Sequence, residues 1–215
     1  LISCSCENNI KLLNSENLEE MNDSYEGYDS SITCCDISPS CELIVGADDE
    51  GRILLWPTSS PDECTSDDGH TDAITSVHFF SSLFILTSSL DGIVRMFSTE
   101  KLILLKSYSE SIPVSSACFS PDRRYITFSL LQSITYIVDV ATGEYVGEFK
   151  NYINNKYLLT PCFSYDRSIP DGPVQFIIPS EDGRLISYDF ETQDTVWEFK
   201  PHDGYFKWDI SRNGI

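Results

Sequence analysis

Short apolar segments alternate with polar turns along most of this chain. The clearest series follows Gly69-His70 and contains Ile74–Phe79, Leu83–Ser89, Ile93–Phe97 and Leu102–Leu105. These segments are rich in β-branched and aromatic residues, which favour strands. The Asp91-Gly92 turn between two of them suits a tight hairpin, because glycine tolerates a positive φ. The pattern therefore predicts four consecutive antiparallel strands.

The same pattern recurs along the chain. It aligns on a polar turn residue and an apolar or aromatic residue six places later, with steps of 43, 41, 41 and 50 residues between the turn residues. The aligned pairs are Glu7/Leu13, Glu50/Trp56, Asp91/Phe97, Gln132/Val138 and Asp182/Tyr188. A period of about 40–45 residues built from short strands is typical of a β-propeller blade. We therefore predict an all-β propeller in which residues 1–215 form one domain of about five blades.

The other repeats predict strands at similar places. The strands expected outside the clearest repeat are Ile32–Ile37, Leu43–Ala47, Arg52–Trp56, Val114–Phe119, Tyr125–Leu130, Ile134–Val138, Glu144–Phe149, Leu158–Phe163, Val174–Ile178, Arg184–Tyr188 and Thr195–Phe199. The step of 50 residues comes mostly from an insertion at Asp166–Pro173, whose proline and glycine indicate a surface loop.

Both ends of the chain are expected to hold incomplete blades. Leu1–Cys6 and Ile10–Leu13 resemble second and third strands, and Tyr205–Ser211 resembles a first strand. An open blade exposes sheet edges, which leaves two interpretations. The chain is part of a larger, seven-bladed ring, the interpretation that we favour. Alternatively, the C-terminal strand completes the N-terminal blade and closes a five-bladed ring.

The charge of the chain bears on its partners. The formal net charge is −20, from 34 acidic and 14 basic residues. Such a surface repels phosphates, which argues against direct binding of nucleic acid, and it favours basic protein partners through electrostatic steering. The alternative is that the charge only maintains solubility. The chain has no stretch of 18 apolar residues, so no membrane partner is predicted.

The eight cysteines predict neither disulfides nor a metal site. Six of them lie in apolar strand patterns, namely Cys4, Cys6, Cys34, Cys35, Cys118 and Cys162. Buried free cysteine behaves as a small hydrophobic residue, and reduced thiols suit an intracellular compartment. A zinc site needs four converging Cys or His ligands, usually in pairs two to four residues apart. The pairs Cys4/Cys6 and Cys34/Cys35 lack that spacing, so we predict no metal and no cofactor.

A possible catalytic triad has a structural explanation. His70, Thr87 or Ser89, and Asp91 stand where WD-repeat blades place a hydrogen-bond relay that normally ends on a Trp N–H, and Phe97 takes the Trp position. The last repeat has Asp182 in the place of Asp91. The chain has no Gly-x-Ser-x-Gly elbow, the motif of many serine hydrolases. We therefore expect a structural network without catalytic residues, and no enzyme activity.

Longer runs carry a more specific resemblance. The run Gly69–Phe79, with Leu86–Gly92, resembles the WD-repeat subunit shared by COMPASS-type histone-lysine methyltransferase complexes. The runs Pro113-Val114-Ser115 and Asn155-Lys156-Tyr157 fall in step with it. The resemblance implies a seven-bladed nuclear scaffold without catalysis of its own. Many members of this family hold an arginine-bearing peptide between two aromatic rings at the mouth of the central channel.

This chain departs from the family at that mouth. By alignment, Thr33 and Thr160 occupy the two clamping aromatic positions, while other mouth positions fall on Cys6, Asp49 and Leu90; only Tyr157 keeps a family-like aromatic. Threonine cannot supply the stacking of a cation on a ring, worth about 0.5–2 kcal/mol. We therefore expect the scaffold role without tight arginine-peptide capture.

Two alternatives stay open at this stage. The mouth residues can be ordinary turn and strand-end positions. The chain can also be a WD-repeat adaptor in another complex, such as a ubiquitin-ligase receptor or a scaffold in RNA processing or trafficking, because propellers host many functions.

Overall fold

The computed structural model describes residues 2–5, 8–14, 16–17, 19–21, 24–27, 29–164 and 174–200, with the backbone alone for 2–5. These residues form antiparallel strands and contain no helix. Four sheets have four strands each, and strands that are consecutive in sequence are neighbours in the sheet. This all-β arrangement confirms the predicted propeller class. The chain divides into two compact units between Val114 and Ser115, and the single domain stays a prediction.

The first unit contains a two-stranded sheet and two four-stranded sheets. The two-stranded sheet consists of β1 (Ile2–Ser5) and β2 (Asn9–Leu12). The next sheet consists of β3 (Ile32–Ile37), β4 (Leu43–Asp48), β5 (Ile53–Pro57) and β6 (Thr65–Asp67). The third consists of β7 (Ile74–Ser81), β8 (Phe84–Ser89), β9 (Ile93–Ser98) and β10 (Leu104–Ser109).

The second unit contains two more four-stranded sheets. One consists of β11 (Val114–Phe119, which starts at the division between the units), β12 (Tyr125–Leu130), β13 (Ile134–Asp139) and β14 (Tyr145–Phe149). The other consists of β15 (Cys162–Ser164), β16 (Gln175–Pro179), β17 (Leu185–Asp189) and β18 (Thr195–Phe199). Most bounds agree with the predicted strands to within one or two residues. The predictions for Cys6, Asp166–Pro173 and Tyr205–Ser211 concern positions outside the described residues.

Two predicted strands differ from the structure, each for a local reason. The strand predicted at Leu102–Leu105 runs instead from Leu104 to Ser109. Lys101 and Leu102 both have positive φ, so they form the turn, and Leu102 reaches the core from that turn. The strand predicted at Leu158–Phe163 shortens to Cys162–Ser164, because Leu159 N donates to the Ser115 hydroxyl instead of a neighbouring strand and Pro161 has no N–H to donate. Gly92 has the positive φ expected of its hairpin, at 81°.

The core of the first unit lies on both faces of the sheet β3–β6. Trp56 and Ile44 pack against Ile10 and Tyr25 of the preceding segment, and the Tyr25 ring meets Trp56 edge-on with centroids 6.0 Å apart. On the other face, a second cluster joins this sheet to β7–β10 through Val45, Leu55, Val77, Ile85 and Phe97. Successive side chains of a strand point to opposite faces, so both faces of this sheet are buried against neighbours.

The core of the second unit lies between its two sheets. Ile137 and Phe149 of one sheet pack against Phe176, Ile186 and Tyr188 of the other. Phe149 and Phe176 stack with their ring centroids 5.1 Å apart. Aromatic pairs of this kind stabilise a core beyond the area that they bury. The apolar side chains of these sheets are therefore buried by contact with a neighbouring sheet or segment.

Replacing Trp56 with alanine tests this packing. Trp56 is fully buried, so the variant Trp56→Ala is expected to lose about 3–5 kcal/mol of unfolding free energy through the cavity that it leaves. Urea unfolding followed by far-ultraviolet circular dichroism measures the loss. The matched control is Trp197→Ala, because Trp197 is 37% exposed and its removal should cost about 1 kcal/mol or less. Equal losses in the two variants would contradict the packing described.

Candidate functional site

In each of three four-stranded sheets, two loops lie side by side at one end of that sheet. The turn between the second and third strands lies beside the segment that leads into the first strand. The backbone bonds are Asp49 N to Ser31 O (3.1 Å), Leu90 N to Ala73 O (3.0 Å) and Glu181 N to Ile153 O (2.8 Å). Asp49, Leu90 and Glu181 therefore occupy equivalent places, each at the loop end of its own sheet.

The candidates Thr33, Asp49 and Leu90 belong to the first unit. Thr33 is exposed, yet its hydroxyl lies 2.6 Å from the carbonyl of Ile74 and 3.2 Å from that of Ala47. Asp49 is also exposed and accepts a bond from Ser31 N at 3.2 Å. Leu90 is half-buried. Thr33 and Asp49 thus lie near each other at the loop end, but their polar atoms are partly used to hold the blades.

The Thr33 bond belongs to a repeated arrangement. A hydroxyl near the start of a first strand donates to the carbonyl of a residue about 40 positions later, at the next repeat. The three cases are Thr33 to Ile74 O, Thr75 to Val114 O at 3.0 Å, and Ser115 to Leu159 O at 3.0 Å. A small hydroxyl residue at the position of Thr33 therefore links successive repeats, a role that an aromatic side chain cannot take.

The candidates Tyr157 and Thr160 belong to the second unit. Thr160 is exposed and Tyr157 is half-buried. The ammonium group of Lys156 lies 5.0 Å from the centroid of the Tyr157 ring, which is a cation–π distance. The aromatic face of Tyr157 is thus already in contact with a cation of this chain.

Glu181 holds the segment that carries Tyr157. Its carboxylate is buried, at 5% residue exposure, and one oxygen accepts the backbone N–H groups of Asn155 (2.9 Å), Lys156 (2.6 Å) and Tyr157 (2.8 Å). A hydrogen bond from an N–H group to a carboxylate is stronger than one between two neutral groups, so these three bonds hold the segment firmly. The sequence did not reveal this role, because the partners lie 24 to 26 residues away from Glu181. The signal available was the spacing of equivalent positions: Leu90 follows Asp49 by 41 residues, and Glu181 follows Leu90 by 91 residues, which is two repeat steps.

The predicted polar network is built from His70, Asp91 and Thr87. His70 Nδ1 lies 3.0 Å from Asp91 Oδ2, and Nε2 lies 2.7 Å from the Thr87 hydroxyl. Of the two hydroxyls considered, Thr87 joins the relay. Ser89 instead donates to Asp72 O at 2.9 Å and accepts from Asp91 N at 3.0 Å, so it fixes the turn.

Arg95 extends the network at its Asp91 end, whereas Phe97 has no N–H to donate at the Thr87 end. Arg95 Nη1 donates to Asp91 Oδ2 at 2.9 Å. Burial raises the pKa of Asp91, but hydrogen bonds from Arg95 and the charge of its neighbours outweigh burial and hold that pKa below its ordinary value. For His70, burial and the nearby Arg95 charge outweigh the attraction of Asp91 and lower the pKa from 6.5 to about 4. The imidazole is therefore neutral at pH 7 and fully committed to the blade.

The last sheet uses a different partner for Asp182. Arg184 Nε donates to Asp182 Oδ2 at 2.6 Å, and its Nη1 donates to Glu198 at 2.8 Å. The pKa of Asp182 is lowered, because its bonds to Ser180 and Arg184 outweigh the effect of burial. Asp182 therefore holds a turn through arginine rather than through a histidine.

The first unit contains a buried carboxylate that sequence reasoning missed. Asp48 is fully buried and accepts Arg52 N at 2.7 Å, Arg52 Nε at 2.9 Å and the Ser30 hydroxyl at 2.5 Å. Asp48 stands two places before the aligned turn residue Glu50, the place that Ser89 holds in the next sheet. Three acidic residues in a row, Asp48-Asp49-Glu50, gave no sequence signal for which of the three carboxylates is buried.

Metal chemistry finds no support among the described residues. In that part of the chain no cluster of three His, Cys, Asp or Glu side chains has the geometry to hold a metal ion. Burial raises the pKa of Cys162 to about 11, with a smaller contribution from Cys118, so this thiol is a poor nucleophile.

Among the residues that the structure describes, no helix is long and apolar enough to cross a bilayer.

The pH dependence of stability tests the buried state of His70. Between pH 6.5 and 4, the unfolded chain binds a proton at His70 and the folded chain does not, so the unfolding free energy falls as the pH falls through this window, by up to ~1.36 kcal/mol per unit. Urea unfolding at several pH values should give a shallower slope for His70→Gln than for the parent protein. Parallel slopes for His70→Gln and the parent would contradict the assignment.

The variant Thr33→Val tests the link between repeats. It keeps the size of the side chain and removes the donor to Ile74 O, so the unfolding free energy should fall by about 0.5–1.5 kcal/mol. Thr160→Val is the matched control, because Thr160 is exposed and the described residues offer its hydroxyl no bond. Thermal or urea unfolding measures both. A loss in Thr160→Val as large as in Thr33→Val would speak against the link.

Two segments of the chain match a known repeat family. Residues 20–57 and 62–98 match the family described as "WD domain, G-beta repeat". These segments cover the sheet β3–β6 and the strands β7–β9.

Several curated proteins with related sequences carry WD-repeat names or belong to a translation factor. The "WD repeat domain-containing protein 83" of Rattus norvegicus is 32% identical over 129 residues, which cover 60% of this chain and 38% of that protein. The "Eukaryotic translation initiation factor 3 subunit I" of Anopheles gambiae is 30% identical over 81 residues (37% and 25%). The subunit I of Drosophila willistoni is 26% identical over 181 residues (79% and 56%). The chain thus spans between a quarter and just over half of these relatives.

The repeat match, the period of about 41 residues and the four-stranded sheets agree with one another. Over residues 20–57 and 62–98 this chain is similar to the WD-domain, G-beta repeat, and its four-stranded sheets have the β-propeller fold.

Proposed function

We propose that this protein is a non-catalytic scaffold that binds other proteins in a multi-subunit complex. WD40 domains mediate protein–protein interactions, and WD40-repeat proteins are generally non-catalytic scaffolds. The observation that carries the proposal is the use of His70, Thr87 and Asp91 inside a blade. Their polar atoms bind one another in a buried network, so they have no site at which to attack a substrate.

The identity of the complex has two candidates. The first is a histone-lysine methyltransferase complex in the nucleus, which rests on the resemblance of Gly69–Phe79 and Asn155–Tyr157 to its WD-repeat subunit. The second is a complex of another kind, and the names of the relatives favour it, since one of them is a subunit of translation initiation factor 3. Both candidates share the scaffold role and place the chain in a reducing, intracellular compartment. We give the second candidate priority.

The charge distribution supports basic protein partners for the first unit. Residues 1–114 contain 20 of the 34 acidic residues and 5 of the 14 basic ones. Exposed acidic side chains lie at its loop end and in the segment around β6, among them Asp49, Glu50, Asp62 and Asp68. A surface of one sign accelerates encounter with the opposite sign and weakens as salt is added.

Affinity purification of the tagged full-length protein tests the scaffold proposal. Stable subunits of one complex, identified by mass spectrometry, should co-purify in fixed ratios at about 0.15 M salt. Methyltransferase subunits with a nuclear signal of the tagged protein would select the first candidate, and other subunits with a cytoplasmic signal would select the second. A protein that purifies alone from either compartment would contradict the scaffold role.

Arginine-containing histone-tail peptides should bind weakly or not at all. Thr33 and Thr160 offer no aromatic face, and the Tyr157 ring is near Lys156, so the stacking contribution of about 0.5–2 kcal/mol per ring is missing. Isothermal titration calorimetry measures the affinity, with a citrulline-substituted peptide as the uncharged control. A submicromolar dissociation constant that is lost with citrulline would overturn this expectation.

A further inference from the structure

The segment around Lys156 carries basic side chains in a protein that is acidic as a whole. Residues 150–164 contain Lys150 and Lys156 and no Asp or Glu. This segment includes the loop end of the last sheet, where residues 153–158 form the loop held by Glu181; we refer to these residues as the 153–158 loop.

Apolar and cationic side chains of the 153–158 loop face solvent together. Ile153 is 39% exposed and Leu158 is 40% exposed, and Lys156 lies exposed between them in sequence. Tyr152 and Leu159, which flank the loop, are buried. The loop therefore exposes two aliphatic side chains and one cationic side chain, while its flanking residues anchor it in the core.

The conformation of the loop is fixed before any partner arrives. Glu181 accepts three consecutive backbone N–H groups of the loop. The hydroxyls of Ser180 and Ser133 accept the N–H groups of Ile153 and Asn154, at 2.8 Å and 2.9 Å. A loop that is already ordered loses less conformational entropy on binding, which favours affinity.

Lys156 keeps its charge available for a partner. Lys150 pairs with Glu148, and Arg184 pairs with Asp182 and Glu198. In the described part of the chain no carboxylate forms an ion pair with Lys156, whose ammonium instead lies over the Tyr157 ring. An ammonium held over a ring retains hydrogen-bond donors for an incoming carboxylate.

We propose that the 153–158 loop docks an extended segment of a partner protein that carries carboxylates next to aliphatic side chains. The carboxylate pairs with Lys156, and the aliphatic side chains cover Ile153 and Leu158. The proposal rests on the scaffold function and adds the partner chemistry of one surface. It differs from the basic partners proposed for the first unit, because the charged side chain that this loop exposes is the cation Lys156.

Fluorescence anisotropy with a labelled peptide of alternating Glu and Leu tests the docking surface on the full chain. Wild-type protein should bind this peptide more tightly, by at least tenfold, than peptides in which Gln or Lys replaces every Glu. The variant Lys156→Glu should weaken binding by tenfold or more, and Leu158→Ser by three- to tenfold. The matched control Lys101→Glu makes the same charge change at another exposed lysine and should change binding by less than twofold.

Three outcomes would overturn the docking proposal. One is equal binding of the Glu and Gln peptides. Another is an equal effect of Lys156→Glu and Lys101→Glu, which would indicate net charge alone. The third is tighter, Lys156-dependent binding of a labelled uridine 12-mer, which would assign the loop to nucleic acid. Circular dichroism spectra and unfolding midpoints of the variants should match those of wild type, since each change is at the surface.

Purification of the tagged variants separates this proposal from the scaffold function. If wild type and Lys156→Glu both recover the same subunits in the same amounts, the scaffold stands and the docking proposal fails. If wild type recovers subunits and Lys156→Glu loses one of them, while Lys101→Glu retains it, the docking proposal is supported. If wild type recovers none, the scaffold proposal fails on its own evidence, and the peptide titration still decides the chemistry of the loop.

Discussion

Burial of apolar sheet faces against neighbouring sheets is the interaction on which this structure depends. A four-stranded sheet whose faces are both apolar cannot be covered by its own turns. In the first unit, Leu55 and Val45 complete a cluster with Val77 and Phe97 of the next sheet. In the second, Phe149 fills the same role against Phe176 and Tyr188. The repeat in the sequence exists because each sheet needs a similar partner.

Polar side chains then decide what the sheets present at their loop end. Asp48, Asp91 and Glu181 are carboxylates with little or no solvent exposure, and each is satisfied by several donors. A buried carboxylate without such partners would be costly, so these residues fix one turn or loop geometry each. Because the fixing groups lie inside the blades, the exposed side chains of the loops remain available for partner proteins.

The sequence predicted the sheets better than it predicted the loops. The strands β11, β12 and β18 match their predicted bounds, since their β-rich segments end at unmistakable turn residues such as Ser120-Pro121-Asp122. The choice between Thr87 and Ser89 was open, because both point to the same face of β8 and only the position of the His70 ring selects one. The strand predicted at Leu158–Phe163 begins only at Cys162, because Leu159 N donates to the Ser115 hydroxyl, 44 residues away, and such a bond leaves no periodic signal in the sequence. The partner-binding roles of Thr33, Asp49, Leu90, Tyr157 and Thr160 stay predictions.

Hydrogen–deuterium exchange in the variant Leu55→Ala tests the mutual dependence of the sheets most directly. Leu55 lies on β5, and the cluster that it joins includes Ile85 on β8 of the next sheet. If the sheets stabilise each other, the amides of β4 and of β8 should both exchange faster in the variant, by similar factors. Faster exchange confined to β4, β5 and β6, with β8 unchanged, would show that the sheets are independently stable and would contradict the account.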